Sequence, residues 1–75
     1  MAGYSTLTVR DIHEANPTLL GVKLGKVCVA LGIPVSDVAE AFGVSRVTVY
    51  AWFRGHTSVS DKHVDKMQKL ITKLS

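Results

Sequence analysis

Seventy-five residues leave room for one small domain and no second core. With 47% hydrophobic residues the chain can fold on its own, and a net charge of +3 with a pI near 9.3 suits a polyanionic partner without requiring one. The single Cys28 excludes an internal disulfide framework, no apolar run reaches the roughly 20 residues of a membrane span, and no basic-then-apolar secretion signal opens the chain, so a soluble cytoplasmic protein with no membrane partner is expected.

Met1 to Leu7 reads as an irregular arm. Thr8 followed by Asp11 has the form of a capping box, with Val9 and Ile12 as the inner face of a short helix running to Ala15, although Leu7-Thr8-Val9 suits extended chain equally. Residues 1–15 are therefore taken as an arm with a short helix, and residues 16–75 as the domain proper. Asn16-Pro17 is a boundary: proline disfavours helix in the residue before it and suits the first helical position itself. From there to Leu31, the positions of Leu20, Leu24, Val27, Cys28 and Leu31 follow the helical period, and Gly32 ends the run. Gly21 and Gly25 inside it each cost about 1 kcal/mol relative to alanine, so packing must hold this helix. They also mark places where another element can come close.

Val35 to Gly55 carries two helical patterns joined by a tight turn. Val38, Ala39 and Phe42 share one face of the first, and the small Ala39 permits close approach of a second helix. Gly43 stops the first helix, Val44 plugs the turn, and Ser45 can cap the second. There Val49, Trp52 and Phe53 point inward, while Arg46, Val47, Tyr50 and Ala51 face elsewhere. This is the layout of a helix-turn-helix. After a polar loop at His56 to Ser58, Ser60 caps a last helix with Val59 able to staple onto Val64. Its apolar stripe runs through Val64, Met67, Leu70 or Ile71, and Leu74, with Lys62, Lys66, Lys69 and Lys73 on its wet face. The expected fold is all-α, a bundle of four to five short helices around a central helix-turn-helix.

The stretch VSDVAEAFGVSRVTVYAWFRG resembles the helix-turn-helix of the phage repressor and Cro proteins, the XRE family. The matching residues are Ala39, Gly43-Val44-Ser45, Val49 with Trp52, and Arg54-Gly55. That resemblance implies a lambda repressor-like domain whose recognition helix, residues 45–54, enters the major groove of double-stranded DNA. It places Arg46, Val47, Tyr50 and Ala51 against base edges. Ser36, Ser45, Thr48, Arg54, His56, Thr57 and Lys62 then fall to the DNA backbone. Arginine can fork onto guanine, and Val47 or Ala51 can meet a thymine methyl. The chain departs from the family at Pro34 and Val35, where relatives carry a small polar residue and then glutamine. It departs again at Phe53, where relatives carry a glutamate paired with a first-helix arginine. The position of that arginine is held by Cys28, so an apolar Cys28–Phe53 contact is expected in place of the ion pair.

Plainer readings compete at several of these residues. Arg46 can be a solvated surface arginine and Tyr50 a packing residue; Trp52 belongs to the core. His13, His56 and His63 lack ligand spacing and Cys28 has no cysteine near it, so no metal site is expected. Asp11, Glu14, Asp37, Glu40, Asp61 and Asp65 do not pair as catalytic carboxylates, and no nucleophile–base set is present, so neither an enzyme nor a cofactor is expected. The leading expectation is a Cro-like transcriptional regulator of phage or bacterial origin, acting at the nucleoid as a homodimer on a pseudo-palindromic operator. The dimer contact would come from the C-terminal stripe or the N-terminal arm. The rival is a protein-interaction module that binds a host transcription protein such as RNA polymerase; less favoured is the DNA-binding head of a recombination or packaging complex.

Overall fold

Three helices in the middle of the chain stop at glycine: Gly32, Gly43 and Gly55 sit in the left-handed region at φ 71°, 65° and 76°, a conformation that side chains with a Cβ resist. The computed structural model describes residues 6–74, with side chains from Val9 onward. Its elements are α1 (Thr6–Glu14), α2 (Leu20–Leu31), α3 (Val35–Phe42), α4 (Arg46–Arg54) and α5 (Asp61–Leu74). The described residues are all-helical, as expected, with no strand among them. No described helix is long and apolar enough to cross a membrane.

Two boundaries differ from expectation. Helix α1 begins at Thr6, so Thr8 lies within it and does not precede it; the rest of the expected arm, residues 1–5, lies outside the described residues. Helix α2 begins at Leu20 and not at Pro17. The reason is a competing turn: the Asn16 side-chain oxygen accepts from the Thr18 N–H at 3.0 Å and from the Thr18 hydroxyl at 2.7 Å. Asparagine side chains offer the backbone this alternative to helix, and here it holds Pro17 in the bend.

The inner face of α2 is also rotated from the expected one. Leu31 is 55% exposed, and the buried positions are Gly21, Val22, Leu24, Gly25 and Cys28. The two glycines explain the turn of the helix. A Cβ at Gly21 would lie 2.7 Å from the Trp52 carbonyl oxygen, and one at Gly25 would lie 2.9 Å from Phe53 Cβ. Backbone therefore packs on backbone where α2 crosses α4, which offsets the weak helix propensity of glycine. Around this crossing lies one core, to which α1 contributes Ile12, α3 contributes Val38 and Phe42, α4 contributes Val49, Trp52 and Phe53, and α5 contributes Met67.

Helix α5 ties the corner between α3 and α4. Phe42, Trp52 and His63, one from each helix, meet edge to face, with ring centroids 5.6–5.7 Å apart. Lys66 does more than wet the surface of α5: its ammonium donates to the Ala41 carbonyl in the last turn of α3 and lies 5.1 Å from the Phe42 ring centroid. A cation at that helix end complements the exposed carbonyls.

Cys28 and Phe53 are both fully buried in the shared core. Burial pushes the Cys28 thiol from 9.0 up to about 11, because the thiolate is disfavoured away from water. At about pH 8 this thiol is expected to resist alkylation until the chain unfolds, since the thiolate is the reactive form. Labelling of the native protein at the rate of the denatured chain would contradict that. The sign for stability follows: between 9.0 and about 11 the unfolded chain loses this proton and the native chain keeps it, so stability falls as pH rises through that window.

Candidate nucleic-acid interface

The helix-turn-helix corner is built by local chemistry. Gly43, at φ 65°, donates its N–H to Glu40 at 3.3 Å, and Val44 donates to Ala39 at 3.0 Å, closing α3. Ser45 then starts α4 as its cap, accepting from the Thr48 N–H at 3.2 Å. Its hydroxyl also lies 3.0 Å from that of Thr48. Val49, Trp52 and Phe53 anchor the inner side of α4 in the core, so its outer side is held in a fixed direction.

On that outer side, Arg46 and Val47 stand exposed in the first turn, Val47 at 77%. Tyr50 and Ala51 are half-buried one turn further on. An open groove of about 180 Å³ runs between α4 and the start of α3, lined by Pro34, Val35, Ser36, Arg46 and Tyr50. Pro34 occupies the cap position of α3 and no side chain caps that helix, while the Asp37 N–H donates to the Pro34 carbonyl at 3.1 Å. Val35, one of the three positions that depart from the family pattern, is buried and lines the groove.

The structure thus brings together Arg46, Tyr50 and Ser36 at one groove. Ser45 and Thr48 lie beside Arg46, with their hydroxyls engaged with each other. His56 is exposed just past Gly55, and Lys62 is exposed in the first turn of α5. Thr57 lines a different cleft, of about 340 Å³, with Thr18, Lys23 and Gln68. Arg54 is turned toward the protein: its Nε is 3.7 Å from Asp11 Oδ2 on α1, and its guanidinium carbon is 5.8 Å from the Tyr50 ring centroid. Asp11, not expected to pair as a catalytic carboxylate, therefore adjoins this face. Nothing local in its sequence signals that, because its partner sits at the far end of α4. Among the described residues no group of three His, Cys, Asp or Glu side chains is placed to hold a metal ion.

Comparison with known proteins gives a match to one family model, described as helix-turn-helix, over residues 24–72. Those residues contain all of α3 and α4 and most of α2 and α5, while α1 lies outside them. No curated protein and no solved structure matches the chain.

Proposed function

The chain belongs to the XRE-type helix-turn-helix family of DNA-binding proteins, and from that premise we propose that it is a sequence-specific transcriptional regulator, Cro- or repressor-like, which lays α4 in the major groove. The observation that carries this reading is the exposed start of α4, where Arg46 and Val47 project beside a groove backed by a locked corner. Arg46 forks onto a guanine, Val47 and Ala51 meet thymine methyls, and Tyr50 reads further along the same strand. Ser36, Lys62, His56 and the N–H groups at the start of α3 hold phosphates and set the register. The nine residues of α4 span only about 13 Å and so a few base pairs. Two copies on a pseudo-palindrome, with half-sites about 34 Å apart, supply the specificity that one copy lacks. The place of action is the nucleoid of a bacterial host.

Selection from random duplexes, repeated between about 50 and 150 mM salt, is expected to enrich a sequence with two related half-sites. A dimer mass in solution should accompany it. Enrichment of no sequence at either salt would overturn the regulator reading. One observation favours a second reading: Val47 is a large apolar side chain at 77% exposure on the very face at issue. If that face binds a host transcription protein, Val47→Asp abolishes capture of that protein while duplex DNA neither helps nor competes.

A further inference from the structure

We propose that Asp11 is a positioning residue for the recognition face: it orients Arg54, whose guanidinium in turn holds the Tyr50 ring beside the groove, so Arg54 serves the scaffold and not a DNA phosphate. This rests on the reading of α4 as the base-reading helix and adds to it a contribution from α1. Arg54 closes α4, with its Nε 3.7 Å from the Asp11 carboxylate and its guanidinium carbon 5.8 Å from the Tyr50 centroid. Tyr50 shares the groove wall with Arg46. The three side chains thus form a line from α1 through the end of α4 to its reading surface. Asp11 lies on α1, outside residues 24–72 that match the family model.

Arginine suits the middle position for a chemical reason. Its planar guanidinium can lie against an aromatic ring and face a carboxylate at its edge, which the compact ammonium of lysine cannot reproduce. The side chains of Arg54 and Asp11 are 33% and 44% exposed. An ion pair that wet contributes little to stability, so the pair is better explained by what it orients than by what it stabilises. Charge alone makes the opposite prediction. A carboxylate near the duplex repels phosphate, and on that account its removal tightens binding to every sequence alike.

The experiment uses the full chain with the duplex it selects and the set of single-base-pair variants of that duplex. Asp11→Asn and Arg54→Lys are each expected to lose roughly tenfold of the discrimination at one base pair, the same pair at which Tyr50→Ala loses it. Asp11→Glu restores discrimination, and combining Asp11→Asn with Arg54→Lys loses no more than either alone, because the residues act as one unit. The slope of log affinity against log salt stays unchanged in Arg54→Lys. A second readout needs no DNA: in the free protein the NMR signals of the Tyr50 ring shift in Asp11→Asn while the Trp52 indole N–H stays in place. Unchanged Tyr50 signals, or full discrimination at every position in Asp11→Asn, would overturn the proposal. So would Arg54→Lys behaving as wild type while Arg54→Ala weakens all sequences and lowers the salt slope by about 1, the signature of a phosphate contact. If the wild-type chain discriminates among no sequences, the DNA reading itself has failed, and the NMR comparison still decides the Asp11–Arg54–Tyr50 link.

Discussion

Gly21→Ala is expected to lower the melting temperature by roughly 10 °C, even though alanine is the better helix former. Propensity alone would favour the variant by about 1 kcal/mol. Against that, the new Cβ would stand 2.7 Å from the Trp52 carbonyl oxygen, 2.8 Å from Trp52 Cβ and 3.0 Å from its carbonyl carbon. These atoms belong to the backbone of α4 or are fixed directly to it, so no rotamer change clears them. Helix α2 must move away from α4, which loosens the core around Leu24, Val49 and Phe53. Overpacking of this kind typically costs about 1–3 kcal/mol, and a clash with rigid backbone belongs at or above the upper end. The net loss is about 2 kcal/mol, and each kcal/mol shifts the melting point of so small a domain by about 4–8 °C. Thermal melts followed by circular dichroism decide it. A melting point equal to or above that of the wild type would mean that α2 and α4 do not meet at this glycine. Gly43→Ala is the useful contrast, since a Cβ there finds no neighbour within 4 Å and the cost is only that of φ 65°.

The same glycines show which parts of the fold could be read from the sequence. A glycine inside an otherwise helical run is a local anomaly, and it points to close approach without naming the partner. The corner at Gly43-Val44-Ser45 was equally legible, because its cap and its left-handed glycine depend on neighbouring residues alone. What failed was the competition between two local signals at the start of α2. Pro17 suits a first helical turn, yet the Asn16 side chain captured Thr18 and delayed the helix. The helical period also assigned Leu31 to the core, whereas the backbone crossing with α4 sets the true rotation of α2. Long-range polar pairings were beyond reach. Lys66 with Ala41 and Asp11 with Arg54 join residues on different helices, and an amphipathic pattern says that a charge faces outward without saying which group it meets. For the candidate site, the exposed start of α4 followed from periodicity, while the inward turn of Arg54 required the packed structure.

Arg46→Ala is expected to weaken binding to the selected duplex by roughly tenfold to a hundredfold, with the loss confined to sequences that keep one particular base pair. Arg46 stands exposed in the first turn of α4, at the mouth of the groove shared with Ser36 and Tyr50. From there a guanidinium can reach both acceptors of a guanine, an arrangement that discriminates by about 1–3 kcal/mol. Removing it relaxes the choice at that pair and leaves the other pairs as strictly read as before. Lys62→Ala supplies the comparison: an exposed cation on α5 can meet phosphate alone, so its loss lowers affinity evenly across sequences and reduces the salt slope by about 1. Titrations of each variant against the full set of single-base-pair changes, at two salt concentrations, separate these outcomes. Should Arg46→Ala behave as Lys62→Ala does, Arg46 is a phosphate contact, and the base-reading part of α4 must begin at Val47. Should neither change matter, the exposed start of α4 is turned toward another kind of partner. The apolar Val47 beside it then becomes the residue to test first.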